Sequence, residues 1–305
     1  MSDGLHSGIV VKGLGGLYEV VSDTDSRRVP CRARGILHRN DAKLLIGDRV
    51  SFSEQSGAEA VIEEISPRKN ALIRPPMANL DALYAVIAAV KPSPVLETVD
   101  KLLAIAEHNR IRIALVITKQ DFDAEACRAY AEIYRGVGIP VFTVSSVTGE
   151  GIEALRADID GQMRDGGIAA LTGASGVGKS TLLNKLFPEL LLATGEISRR
   201  IERGRHTTRH VELFPMNGGG FLADTPGFSL LDFAQFDFFA LEDLFDSFRE
   251  FAPLRGLCRY ADCSHTGEGA AECAIARAVC DGRIAASRHE SYRSLYRTLK
   301  EKTKY

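Results

Sequence analysis

The chain has 305 residues, 45% of them hydrophobic, which is enough for two ordinary domain cores or three small ones. Its net charge of −2 excludes a global pull toward nucleic acid, so such a partner has to be recognised through local patches. The longest apolar run, Ala82 to Val90, is nine residues against the roughly twenty that span a bilayer, and "MSDGLHSGIV" is neither a secretion signal nor a presequence. A cytoplasmic protein without a membrane partner is expected.

From Gly8 to Ile65 the pattern is that of short strands. "GIVVKG", "GLYEVVS", "RVPCRARG", "GDRVSFS" and "EAVIEEI" are β-rich and separated by Gly, Asp, Asn or Ser. Five such strands predict a small barrel of the OB type, which commonly binds oligonucleotides on one face. Arg27, Arg28, Arg32, Arg34, Arg39 and Arg49 would supply phosphate contacts. The alternative is a structural β-domain with a solvated basic rim.

"ISPRKNALIRPP" marks a boundary near residue 70, and the period changes beyond it. "LDALYAVIAAV", "IRIALVITK", "IPVFTVSS" and "GIAALTG" are continuous apolar runs, as expected of strands buried on both faces. Helix-like stretches, "LETVDKLLAIAEHN", "DAEACRAYAEIYRGVG" and "GIEALRADI", alternate with them. The alternation predicts an α/β domain with a parallel sheet, whose ligands belong in the loops at the carboxyl ends of its strands.

Those loops carry the chemistry, and the first comes early. "TKQD" ends the run "IRIALVI". In a guanine site the Asp121 carboxylate accepts two hydrogen bonds from the base, the Lys119 stem packs over it and Thr118 stands where Asn is usual. The alternative is a strand-ending turn. "SSVTGEG" ends the next run and offers Ser145 and Ser146 to the other side of the base.

"GASGVGKST", Gly173 to Thr181, follows "IAAL" and precedes "KSTLLNKLF". Its spacing is that of a phosphate loop. Gly173, Ala174, Ser175, Gly176, Val177 and Gly178 offer backbone N–H groups to phosphates, Lys179 brings an ammonium to the outer phosphates, and Ser180 and Thr181 open the helix, with the Ser180 hydroxyl on Mg2+. Next comes "GRHTTRH", where Thr208, preferred over Thr207, would complete the magnesium shell. "DTPG" closes the set, with Asp224 as a magnesium carboxylate and Gly227 offering an N–H to the terminal phosphate. Phe228 then occupies the place where many GTPases carry a water-orienting Gln, which leaves His206 as the candidate for that role.

Five elements of one guanine-nucleotide pocket are thus present in the order base, base, phosphate, switch, switch. The expected domain is a circularly permuted P-loop GTPase: the same loops, with the chain cut elsewhere.

A third unit is expected from Phe236. "FDFFALEDLFDSFREF" predicts one or two amphipathic helices, and "ASRHESYRSLYRTLKEKTKY" a basic C-terminal helix. Between them Cys258, Cys263, His265 and Cys273, spaced C-x4-C-x-H-x7-C, have the composition of a closed tetrahedral zinc site. Individually buried cysteines are the alternative, and Cys280 reads as a buried small residue. Residues 283 to 305 hold seven Lys/Arg against two acidic residues, and "ISRRIERGRHTTRH" holds five Arg. The expected domains are 1–69, an OB-fold RNA-binding barrel; 70–235, the permuted GTPase; and 236–305, a helical zinc-binding unit.

Taken together, "GASGVGKS", "GRHTT", "DTPG", the N-terminal barrel and the Cys/His cluster resemble the RsgA family, also called YjeQ or YloQ, the ribosome small-subunit-dependent GTPases. The resemblance covers nearly the whole chain. It implies a GTP hydrolase stimulated by the small ribosomal subunit and acting late in that subunit's assembly, with rRNA contacts on the barrel and the zinc unit. The cofactors are then GTP or GDP with Mg2+ and one structural Zn2+, and the protein is expected to be a monomer. Two departures from the family pattern stand out: Thr118 replaces the Asn of NKxD, and the seven-residue gap between His265 and Cys273 is longer than usual. An ATP-dependent kinase or ATPase would share the phosphate loop without a use for Asp121. An RNA-binding scaffold that holds nucleotide without turnover is the other alternative.

Overall fold

The computed structural model describes residues 4–34, 43–54, 59–188, 211–224 and 233–303. Arg39, His206, Thr207, Thr208, Gly227 and Phe228 lie outside them. The chain forms two compact units. Among the described residues one holds 4–34, 43–54, 59–82, 160–170 and 211–224, and the other 83–159, 171–188 and 233–303.

The N-terminal strands β1 (Leu5–Leu14), β2 (Leu17–Ser22), β3 (Arg28–Ala33), β4 (Arg49–Ser53) and β5 (Ala60–Ile65) close into a barrel in the order β1-β2-β3-β5-β4. Alternation drives it. Val29 and Cys31 of β3, Val50 and Phe52 of β4 and Ala60 and Ile62 of β5 point inward, with exposed or half-exposed residues between them. In β1 the alternation breaks at Ile9, Val10 and Val11, all buried, where the pairing with β2 slips between Val10 and Lys12. All five predicted strands are present.

The barrel's arginines do not stand free. Arg27 pairs with Asp25 and Glu54, Arg28 with Glu19 at 2.8 Å, Arg32 with Glu59, Arg34 with Glu63 at 2.5 Å and Arg49 with Asp23 at 2.9 Å. Each described member of the expected phosphate-contact set already has a carboxylate partner. Nucleic-acid phosphates would have to replace these carboxylates, an exchange that is inexpensive for exposed pairs.

Two-residue strands β6 (Ala71–Leu72) and β7 (Met77–Ala78) precede a six-stranded sheet. It comprises β8 (Ala82–Ala88), β9 (Arg112–Thr118), β10 (Val141–Thr143), β11 (Ile168–Thr172), β12 (Glu212–Pro215) and β13 (Phe221–Asp224), in the order β10-β9-β8-β11-β13-β12. The pairs β9/β10 and β11/β13 are parallel, and the edge pair β12/β13 is antiparallel. Every residue of β8 and β11 is buried, as the unbroken apolar runs predicted, whereas β10, last in the strand order, is only half-buried. The intervening helices are α1 (Leu96–His108), α2 (Ala124–Arg135), α3 (Ile152–Met163) and α4 (Lys179–Leu186). Asp123 caps α2 by accepting from the Ala126 N–H at 2.8 Å.

The C-terminal region corrects one expectation. Residues 236–254 form no α-helix but turns with two 3-10 segments, Leu241–Asp243 and Arg249–Leu254. A helix buries one stripe, whereas here the adjacent Phe238 and Phe239 are both buried, packed on Phe233 at 4.8 and 5.2 Å. Phe248 and Phe251 turn instead to Tyr292, at 5.3 and 4.9 Å, and Pro253 withholds a backbone donor. Helices α5 (Ala274–Cys280) and α6 (Ala286–Lys302) follow. α6 is basic as predicted, yet Arg288 points inward. No helix among the described residues is long and apolar enough to cross a membrane.

Candidate functional site

The base and phosphate loops leave the carboxyl ends of strands of one sheet: 118–121 follows β9, 145–151 follows β10 and 173–181 follows β11. Asp224 is the last residue of β13, the parallel neighbour of β11.

The phosphate loop is shaped by its glycines. A Cβ on Gly173 would lie 2.1 Å from the Val86 carbonyl oxygen, so only glycine lets the chain leave β11 there. Gly178, at φ 95°, is the N-cap of α4, a left-handed conformation that turns the loop directly into the helix. Ala174, Ser175, Gly176 and Thr181 are exposed, Ser180 is half-buried, and Val177 is buried. Lys179 Nζ donates to the carbonyls of Gly173 and Ala174, both at 2.7 Å, which folds the ammonium back over the loop. Burial lowers its pKa from the ordinary lysine value.

The base loop reaches the phosphate loop directly. Thr118 is buried, and its hydroxyl lies 2.5 Å from the Val177 carbonyl and 3.1 Å from that of Ile87. Lys119, at φ 62°, donates from Nζ to Lys91 O at 2.5 Å and to Gly176 O at 3.0 Å. Its ammonium therefore ties the segment that follows β8 to the phosphate loop. Asp121 is exposed beside it. The Ser145 hydroxyl accepts from the N–H groups of Val147 and Thr148, at 3.2 and 3.1 Å, so it shapes its own loop, while Ser146 is half-buried. Sequence reasoning missed the Lys91 carbonyl as the seat of Lys119. A backbone acceptor leaves no side-chain signal.

The four expected metal ligands converge. His265 Nδ1 lies 3.5 Å from Cys258 Sγ and 3.4 Å from both Cys263 Sγ and Cys273 Sγ; Cys258 and Cys273 are 4.0 Å apart, and all four atoms fall within 4.8 Å of one another. With Zn–S near 2.3 Å and Zn–N near 2.0 Å, a tetrahedral ion requires S···N edges of about 3.5 Å and S···S edges of about 3.8 Å. The cluster fits that shell. Backbone N–H groups of Ala274 and Ala276 donate to the sulfurs of Cys258 and Cys273 at 3.3 and 3.4 Å, which favours thiolates. The long gap after His265 is locked by Glu268, which accepts from the N–H groups of Ser264, Thr266 and Gly267. Burial pushes its carboxyl up, but these donors prevail and hold it down at about 2. Cys280 is exposed rather than buried, because the inward face of α5 is Ala274, Ile275 and Ala278. His289 Nε2, from α6, sits 2.6 Å from the His265 carbonyl and braces the ligand loop.

A phosphate loop, a guanine-type base loop ahead of it in the chain and the strand order of the sheet define a P-loop GTPase with permuted motif order, accompanied by a closed five-stranded barrel and a Cys3His cluster. Comparisons with known proteins agree. The family model of the RsgA GTPase matches residues 65–234 and that of the RsgA N-terminal domain residues 7–62. A small ribosomal subunit biogenesis GTPase RsgA from Ruminiclostridium cellulolyticum is 37% identical over 99% of this chain and 96% of its own. The protein of that name from Geobacillus kaustophilus is 39% identical over 98% and 99%. The crystal structure of YjeQ from Thermotoga maritima superposes with a TM-score of 0.81 at 32% identity, covering 97% of this chain and 99% of that one. That of YloQ, described as a circularly permuted GTPase, gives 0.76 at 31%, covering 98% and 96%. This chain belongs to the RsgA GTPase family, and its activity is that of a GTPase.

Proposed function

We propose that this protein hydrolyses GTP in step with the late maturation of the small ribosomal subunit, which stimulates its turnover. The observation that carries the nucleotide site is the clasp between two loops far apart in sequence: Thr118 and Lys119 hold the carbonyls of Val177 and Gly176. That contact is what one guanine-nucleotide pocket, assembled in permuted order, requires.

In this reading Gly173 to Thr181 cradle the phosphates, Lys179 neutralises their charge, and Asp121, with Ser145 and Ser146 opposite, selects guanine. Ser180, Thr208 and Asp224 would hold Mg2+, which supplies charge stabilisation to the phosphoryl oxygens. Gly227 offers its N–H to the terminal phosphate. Phe228 has no donor or acceptor, so His206 orients the attacking water. Cys258, Cys263, His265 and Cys273 bind a structural Zn2+, and the relatives' names, which specify biogenesis of the small ribosomal subunit, supply the partner. The working modules are 1–69, 70–235 and 236–305, the first and last on rRNA, in a cytoplasmic monomer.

The test is GTP turnover by the full chain with separated ribosomal subunits. Stimulation by small subunits alone is expected. Equal rates with small subunits, large subunits and neither would refute the proposal.

A further inference from the structure

Lys12, Glu19 and Arg28 stand on β1, β2 and β3 of the barrel, and the two cations meet a carboxylate of the GTPase sheet. Glu19 is the register partner of Lys12 and accepts from Arg28 at 2.8 Å. Glu212, the first residue of β12, brings its Oε1 to 3.4 Å from Lys12 Nζ and 3.7 Å from Arg28 Nη1. Its side chain is 14% exposed, against 38% and 41% for the two cations. All four residues belong to the same compact unit.

A slip in β1 makes the contact. Val10 and Val11 are both buried, and strict alternation from Val10 would send Lys12 inward as well; the irregularity between Val10 and Lys12 turns it outward, to Glu212. Glu212 is paired in register with Asp224, the last residue of β13, and follows Thr208 by four positions in the chain. Both are magnesium ligands in the reading above. The barrel wall is thus fastened to β12 at the end into which the "GRHTT" segment leads.

An RNA backbone draws on the same two cations. Lys12 and Arg28 are accessible, and their pairs with Glu212 are longer than a hydrogen bond, so a phosphate competes for them at low cost. Occupying them slackens the hold of the barrel on β12, and by linkage a nucleotide-dependent change at β12 alters how firmly the cations are held for RNA. Resting on the function proposed above, we propose that Glu212 is a positioning residue that couples RNA on the barrel to the magnesium end of β12 and β13, with Lys12 and Arg28 as a phosphate site contested between RNA and Glu212. Arg32, by contrast, pairs with Glu59 of the barrel itself.

The experiment is GTP turnover by the full chain titrated with small ribosomal subunits, which yields the maximal stimulation and the subunit concentration that gives half of it, beside the melting temperature of each protein. Arg32→Met, which removes a phosphate contact alone, is expected to raise the half-stimulating concentration and leave the maximum at the wild-type value. Glu212→Gln is expected to lower the maximum by about three- to fivefold, the scale of one partly exposed ion pair. Lys12→Met should do both, and Lys12→Arg, which keeps the cation, neither. If Glu212→Gln melts early, Lys12→Met against Lys12→Arg gives the same comparison. A wild-type maximum in Glu212→Gln, or a Lys12→Met variant altered only in the half-stimulating concentration, would overturn the proposal while leaving the GTPase reading in place. A wild-type protein that small subunits do not stimulate would overturn that reading and the proposal with it.

Discussion

Replacing Arg288 by Met should cost the protein about 3 to 5 kcal/mol, far more than an exposed arginine is worth. Nη1 lies 2.8 Å from Asp100 Oδ1, while Nε and Nη2 grip the two oxygens of Glu250 at 2.8 and 3.0 Å. The side chains of Arg288, Asp100 and Glu250 are 2%, 0% and 6% exposed, and the guanidinium lies over Phe248 at 4.6 Å. One cation thus serves two buried carboxylates and ties α6 to α1 and to the 3-10 turn at 249–254. Methionine fills the volume of the stem but leaves both anions without a cation in a site water does not reach. Removing all three charges at once, with leucines at 100 and 250, should recover most of the loss, because desolvation then no longer has to be offset.

The pH dependence follows from Asp100. Burial raises its carboxyl above the ordinary range although Arg288 pulls it down. In the variant that pull is gone and the folded-state pKa rises further, so stability is greatest at low pH and is lost as pH climbs through that value. The deficit relative to wild type should shrink as the pH is lowered through that value. Urea denaturation followed by circular dichroism is the assay, since the chain has no tryptophan. A loss below about 1 kcal/mol at neutral pH, or a triple variant as unstable as the single one, would show that the network does not carry the weight its burial implies.

Two further outcomes are expected. Protein purified without chelator should show one fast thiol, Cys280; chelation should release Cys258, Cys263 and Cys273, and only unfolding should expose Cys127 and Cys31, whose thiol burial pushes up to about 12. Four fast thiols in protein never exposed to chelator would contradict a metal-filled cluster. His206→Ala should bind GTP nearly as wild type does and lose most of its subunit-stimulated turnover; stimulated turnover within a few fold of wild type would remove the histidine from water positioning.

Where one periodicity governs burial, the sequence is enough. The barrel strands follow from alternation in "RVPCRA" and "RVSFS", and the buried strands from runs such as Ala82 to Ala88, because a strand's faces are set by every second residue. The motif loops are legible for a related reason: phosphate needs glycines and a lysine at fixed spacing after a strand. The failures share a cause. Phe238 and Phe239 are buried side by side in turns, which no periodic pattern describes, and Cys280 lies off the inward face of a short helix. Composition counted Arg288 and the barrel's arginines as available positive charge, but the fold supplies Asp100 and Glu250 to the first and Glu19, Glu59, Glu63 and Asp23 to the others. Apart from Arg28 and Glu19, nine residues apart, these pairs span more than twenty residues and are invisible until the chain is folded. Thr118 was legible only as a departure from the family's Asn; its contact with Val177 bridges 59 positions.

The central claim is that 118–121 and 173–181 form one guanine-nucleotide pocket although the base loop comes first. Affinities of the wild type and Asp121→Asn for GTP and XTP test it most directly. The carboxylate is expected to accept two charge-assisted bonds of about 1.5 to 3 kcal/mol each, so the variant should lose roughly 10^2- to 10^4-fold in GTP affinity and gain in affinity for XTP, whose base exchanges a donor for an acceptor. Unchanged GTP affinity in Asp121→Asn would contradict the account.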